Sequence, residues 1–360
     1  MARWRIRIVA LTVAAGVSLT GCSDTTDGQA AGISLPTTTK ATTTTSRPPF
    51  YGKTLTEGEV QKVSDLSGAR MQPVTGGEVR GLHVAAKVLE FGTGDQIGSN
   101  GGGYQPPDGA SLIAFRVSVT VDSSATSSLD SQVVASVSVD GKQRSLTDFL
   151  APRSGTQTSS YLIAVPEERR AVDLELKSPG VVQQFDLLEG KPKGDRPAAL
   201  YRAANGTAVF QQALTPSGYE VAPRAGKFSA VNTVTISQAE FGYFNGKTET
   251  AASTVDKAWL TFNGSNKAQN GESCVAPLAA HKLTDDKGTV YEAATSSDMP
   301  AHPDIIGESP FILTFEVPAD MKKATLSVAP TTVTCQVSTA NFQPVPARGE
   351  AKFDITIPEK

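Results

Sequence analysis

One stretch of this chain occurs twice, about 150 residues apart, and that duplication limits the fold more than any single motif does. Whatever architecture is adopted must fit twice and must accept the same strand and turn positions in both copies. Ser67-Gly68 and Ser217-Gly218 stand 150 positions apart, as do Glu90-Phe91-Gly92 and Glu240-Phe241-Gly242. Tyr51 and Tyr201 keep the same spacing, each a few residues after an Arg-Pro pair (Arg47-Pro48, Arg196-Pro197). Further along the offset is 152, for Val165-Pro166 against Val317-Pro318, Leu174 against Leu326, and VVQQF (181–185) against VTCQV (333–337). The expected units are residues 50–191 and 196–360, joined by the Gly/Pro/charged stretch GKPKGDRP (190–197). A short polar linker of this kind predicts flexing rather than a large apolar interface.

Within each unit the local signal is strand. Residues 112–121 (LIAFRVSVTV) and 133–139 (VVASVSV) run or alternate apolar with many β-branched residues, and Asp140-Gly141 supplies a turn after the second. Tyr161, Ile163 and Val165 point one way and end at Pro166; Leu313, Phe315 and Val317 repeat this before Pro318. EERR and ADMKK read as corner turns to a further strand. The best helical candidate is Thr56 to Leu66, short and broken by Gly58. Many short strands between turn signals predict an all-β fold of two tandem β-sandwich domains.

These features, together with Pro106-Pro107-Asp108-Gly109 ahead of the LIAFRVSVT strand, resemble the telokin-like, immunoglobulin-fold domains of Gram-positive secreted lipoproteins. The resemblance covers about 77–190, and about 226–345 by way of the repeat; the second unit lacks the Pro-Pro-x-Gly. It implies two immunoglobulin-like sandwiches and carries no chemistry with it.

The N-terminal segment predicts export. Arg3, Arg5 and Arg7 precede an apolar run, Ile8 to Leu19, that is too short for a permanent membrane span. Leu19-Thr20-Gly21-Cys22 resembles the bacterial lipobox. The resemblance implies a signal peptide over residues 1–21 and a diacylglyceryl-modified Cys22, acylated on its amine, palmitate being one such chain. Two or three acyl chains suffice for stable anchoring. Residues 22–49 follow as a lipidated N-terminus and linker, in which TTTKATTTTSRPP (37–49) holds too little apolar area to offset its ordering entropy and reads as a disordered tether. The expected location is the extracytoplasmic face of the cell membrane. Loss of three arginines moves the net charge from −3 to −6, which argues against nucleic acid as a partner.

With Cys22 assigned to lipid, Cys274 and Cys335 remain as a pair in the second unit, and an oxidising compartment predicts a disulfide. A bridge closing about sixty residues contributes roughly 4 kcal/mol in the loop-entropy model. Catalytic groups are sparse. His83 and His281 sit in or beside strand-like runs, and His302 lies near Asp304 in a loop without further ligands or a nucleophile at recognisable spacing. No cofactor, metal or catalytic residue is expected. Asn205-Gly206-Thr207 and Asn263-Gly264-Ser265 read as turn residues. The Gly-rich stretch 92–109, with Asp95, Tyr104 and Asp108, reads either as a long mobile connection or as a recognition loop. Its counterpart over 243–256 opens with Tyr243 and Phe244. The function expected is non-catalytic binding or scaffolding of an envelope protein or cell-wall partner. The alternative is an envelope hydrolase or small-ligand carrier with a site between the units.

Overall fold

The computed structural model describes residues 51–359 apart from 100–101, 124–128, 152–153, 203–206, 211, 213, 223–229, 269–273, 295–307 and 339–340. Cys22, the tether, Asn205-Gly206, and both His302 and Asp304 lie outside the described residues.

The first half holds β1 (Lys53–Thr54), β2 (Val60–Val63), β3 (Arg70–Pro73), β4 (Glu78–Gly81), β5 (Val84–Gly94), β6 (Tyr104–Gln105), β7 (Ala110–Val121), β8 (Val134–Val139), β9 (Lys142–Ser145), β10 (Gly155–Pro166), β11 (Val172–Ser178), β12 (Val181–Asp186) and β13 (Lys191–Lys193). A four-residue helix, α1 (Leu129–Gln132), precedes β8, and α2 (Ala198–Arg202) links the halves. The second half holds β14 (Thr207–Phe210), β15 (Ser217–Val221), β16 (Ala230–Gly242), β17 (Lys257–Ala268), β18 (Cys274–Val275), β19 (His281–Asp285), β20 (Val290–Glu292), β21 (Glu308–Pro318), β22 (Lys323–Val328), β23 (Thr332–Ser338), β24 (Asn341–Arg348) and β25 (Ala351–Thr356).

The fold is all-β, built from antiparallel sheets apart from the two-stranded parallel pair β1–β6, and each sheet takes its strands from one half. In the first half the order β2-β10-β7-β5-β3, with β4 also on β5, faces β13-β12-β11-β8-β9. In the second, β18-β23-β24-β15-β16-β17-β21, with β14 also on β16, faces β20-β19-β22-β25. The duplicated framework is β5-β7-β10 against β8-β11, matched by β16-β17-β21 against β19-β22. Alternation along these strands sends Ile113, Phe115 and Val117 inward, to meet Val137, Leu174 and Phe185 from the facing sheet. Asp140 and Gly141 both take positive φ (48° and 84°), the two-residue turn that matches strand twist, so the β8–β9 hairpin forms where the dipeptide stands.

The pairing corrects the repeat in several places. Ser67-Gly68 is a turn ahead of β3, whereas Ser217-Gly218 lies in β15, the counterpart of β4. VVQQF and VTCQV are not equivalent: β12 pairs with β11, whereas β23 lies in the other sheet between β18 and β24. The true partner of β12 is β25, since Leu326 faces Phe353 as Leu174 faces Phe185. The β23–β24 hairpin is therefore an insertion in the second half. The Glu-Phe-Gly triplets are offset as well. Phe91 opposes Phe115, but Phe241 opposes Leu260, the counterpart of Ile113. A slip of two residues leaves every side chain on its own face, so the hydrophobic pattern tolerates it.

Two other sequence expectations fail. Thr56 to Leu66 is not helical: Thr56 and Glu59 form a turn closed by Glu59 N–H on the Thr56 carbonyl, and β2 then pairs with β10. Cross-strand pairing outweighs a weak helix signal there. Asn263-Gly264-Ser265 is not a turn but mid-strand in β17, opposite a bulge between Ile236 and Gln238. A Cβ on Gly264 would lie 2.4 Å from the Thr235 carbonyl oxygen and 2.5 Å from the Phe311 ring, so the glycine serves close approach.

A continuous buried apolar cluster runs through both halves, including Leu200 and Ala199 of α2. A second, small cluster lies on the outer face of β7 and β10, where Leu112, Ala114, Leu162 and Ala164 are covered by Leu55, Leu66 and Ile97. That cover is why LIAFRV reads as a run rather than an alternation: both faces are buried at that end.

Candidate functional site

The junction of the halves carries a connected polar arrangement around α2. Pro197 and the start of α2 turn the chain so that Tyr201 faces the first half and Arg202 the second. The Arg196 guanidinium lies 3.9 Å from the centre of the Tyr201 ring and that of Arg80 lies 5.3 Å from it. Stacked, partly desolvated cations of this kind contribute roughly 1–2 kcal/mol each. The Tyr201 hydroxyl donates to Gln183 Oε1 (2.8 Å), while Gln183 Nε2 donates to the Asp195 carbonyl (2.9 Å). Arg196 donates to the Glu78 carbonyl and Arg80 to that of Leu200. Burial pushes the Tyr201 phenol up from its ordinary value, with Arg196 opposing.

Arg202 faces the other way. Its guanidinium donates to the carbonyls of Met321 (2.8 Å), Ala319 and Pro358 (both 3.1 Å) and lies over the Phe241 ring at 4.6 Å. One planar fork thus binds the corner after β21 and the chain after β25 together. The linker expected to flex is fastened at both ends. A composition of Gly, Pro and charge signals a boundary, and does not reveal where its arginines and tyrosine dock.

A second contact between the halves lies among turns. His83, in the two-residue turn between β4 and β5, and Glu249 both take positive φ, and their side chains approach to 3.5 Å. Nearby, a Cβ on Gly180 would meet the Ala251 Cβ at 2.8 Å. Tyr243 and Phe244 are both nearly fully buried, ring edge to ring face at 5.4 Å. Asn245 closes the following turn by accepting from the Lys247 and Thr248 amides. The start of the 243–256 segment and Ala252 are accordingly packed at the junction while residues 253–256 are exposed, and Tyr243 has no exposed ring to present to a partner.

The Gly-rich stretch folds onto the small outer core instead of extending. Ile97 is fully buried and bridges Tyr104, while Tyr104–Gln105 pairs in parallel with Lys53–Thr54. Asp65 accepts from the Ser67 and Ser99 amides, which anchors the near end. Tyr104 is half-buried against that core, and Asp95 and Asp108 are exposed. The glycines allow this path: Gly98 takes φ +102° with a Cβ position only 2.9 Å from the Gly103 Cα.

Cys274 and Cys335 are disulfide-bonded and stand directly opposite each other in the β18–β23 pair. Both are buried. His281, at the start of β19, is buried, and desolvation lowers its basicity. Among the described residues no group of three or more His, Cys, Asp or Glu side chains is placed to hold a metal ion, and no helix is long and apolar enough to cross a membrane. A shallow depression of about 410 Å³ lies between β8 and the turn after β9, floored by Val133, Leu146, Phe149 and Leu150. Compared with protein families, curated proteins and solved structures, the chain finds no match.

Proposed function

We propose that this chain is a lipid-anchored, extracytoplasmic protein that binds or positions a partner of the cell envelope on two fastened β-sandwich halves of immunoglobulin-like kind, without catalysing a reaction. The clamped junction carries the scaffolding part of this reading. Arg80, Arg196 and Tyr201 bind α2 to the first half and Arg202 binds it to the second, so surfaces on the two halves keep a constant relation. Such pre-organisation reduces the ordering cost of engaging a partner across both halves. The location rests on the sequence: three arginines, a short apolar run, Leu19-Thr20-Gly21-Cys22 and a Thr-rich tether.

The test combines the anchor and the junction. Cys22→Ala should abolish palmitate labelling and move the protein from the membrane fraction to the medium. Membrane retention of the unlabelled variant would overturn the anchor. Crosslinking in intact cells followed by mass spectrometry identifies the partner. Tyr201→Ala should weaken that crosslink at equal protein level, and an undiminished crosslink would overturn the scaffolding role.

A further inference from the structure

Strand register gives residue-by-residue equivalences between the halves, and four buried positions differ in kind. The first half has Gly81 opposite Val84, Val119 opposite Ala86, and Ala135 opposite Leu176. At the equivalent places the second half has Tyr219 opposite Asn232, Asn266 opposite Val234, and His281 opposite Val328. Asn232, Asn266 and His281 are exposed by only 0 %, 3 % and 1 %. The same framework is therefore packed with apolar residues once and with polar ones the second time.

The polar set is only partly satisfied by the protein. Asn232 Nδ2 donates to the Tyr219 hydroxyl (2.5 Å) and to the Cys274 carbonyl (3.2 Å), which leaves its Oδ1 without a partner. Neither Nδ2 nor Oδ1 of Asn266 has one. His281 Nδ1 lies 3.1 and 3.3 Å from the carbonyls of Pro277 and Leu278, so the ring proton resides there and Nε2 is a bare acceptor, also unpartnered. Asn232 and Asn266 are diagonal neighbours on one face of β16 and β17. Gly264, two residues from Asn266 on that face, underlies Phe311, and the His281 ring centre lies 6.1 Å from that of Phe311. Each buried polar atom left bare forfeits its hydration without return, and the four equivalent positions of the first half carry none.

We propose that the disulfide-bearing half encloses a polar site whose ligand is ordered water. The chemistry selects the ligand. Three of the free atoms accept and one amide group donates, so the guest must be able both to donate and to accept. A carboxylate or phosphate only accepts, and a cation would lack a counter-charge, since none of the four residues is acidic. Water donates twice, accepts twice, and commonly makes about three hydrogen bonds when buried. The site lies beside β18, which the disulfide and the Asn232–Cys274 bond both hold to the sheet.

The experiment uses the chain from Cys22 onward and measures long-lived internal water by magnetic relaxation dispersion. The probe is water itself, followed through its oxygen-17 signal. The triple variant Asn232→Val/Asn266→Val/His281→Ala, which installs the first half's residues, should lose at least one long-lived water and melt no lower than the parent. Asn266→Val alone should lose part of the same signal. An unchanged signal in both would overturn the proposal. A crystal structure of the unmutated chain gives a readout needing no variant: density within about 3 Å of the Asn266 carboxamide is expected, and its absence overturns the site. A small organic molecule released on denaturation, with density to match, would overturn water as the ligand.

Discussion

Glu59 shows how a single side chain is committed in this fold. Its carboxylate accepts from Lys53 Nζ at 2.5 Å and from the Thr56 amide and hydroxyl at 3.0 Å. The Lys53 hydrogen bond, then the Thr56 amide, hold its pKa down to about 2 from 4.5. A carboxyl that ionises more readily folded than unfolded contributes stability that is complete above about pH 4.5 and is lost as pH falls towards 2. The Lys53 side chain is 56 % exposed, so water screens the pair and the contribution stays below about 1 kcal/mol. Glu59→Gln should therefore lower the urea midpoint slightly at pH 7 and leave it unchanged near pH 2. A constant deficit across that range would show that charge is not the cause. The sequence suggested a short helix from Thr56 to Leu66, and the strand that forms there was not legible because pairing with β10 depends on residues a hundred positions away. Asn232, Asn266 and His281 were unreadable for a similar reason: only register shows that they occupy places given to Val84, Val119 and Ala135 in the other copy.

At the scale of elements, the apolar runs and alternations bounded on one side by Pro or Asp-Gly were legible, and β7, β8, β10, β11, β21 and β22 follow them. Short edge strands were not, since two to four residues carry no period. The matching of VVQQF with VTCQV misled because both are apolar-polar strands, and composition cannot say which sheet a strand enters. One sheet edge also differs between the halves. In the first half β12 is flanked by β13; in the second, β25 has Gln212 in that place. Its carboxamide donates to the Asp354 carbonyl and accepts from the Thr356 amide, both at 2.9 Å, and so imitates one residue of a neighbouring strand. Gln212→Ala leaves those two backbone groups to water and bares an edge to other chains. The expected loss is about 1–2 kcal/mol by chemical denaturation, with faster aggregation on heating, while Gln212→Glu should retain the bond from the Thr356 amide and lose the other. Unchanged stability and aggregation in Gln212→Ala would mean that the edge is protected by something else.

For the whole molecule, duplication and strand content followed from the sequence, whereas the relation between the halves did not. A polar linker suggested independence. The chain instead buries one apolar cluster through both halves and fastens α2 into each, so the folded halves should lose stability together. Tyr201 is the element shared by the first-half contacts: its ring is held by Arg80 and Arg196 and its hydroxyl by Gln183. Truncating a largely buried aromatic costs about 3 kcal/mol, and removing the hydroxyl alone costs about 1 kcal/mol. The decisive measurement is the shape of unfolding rather than its midpoint. Calorimetry of the parent should give one transition whose van't Hoff and calorimetric enthalpies agree. Tyr201→Phe should shift that transition without dividing it. Tyr201→Ala should divide it into two, because the first half would then keep only the Arg80 and Arg196 bonds to the Leu200 and Glu78 carbonyls, the His83–Glu249 turns and the remaining apolar contact. Adding reductant then tells which is which, since the disulfide lies in the second half and only that transition should fall. Two transitions already present in the parent would mean that the junction, however well bonded, is weaker than either core.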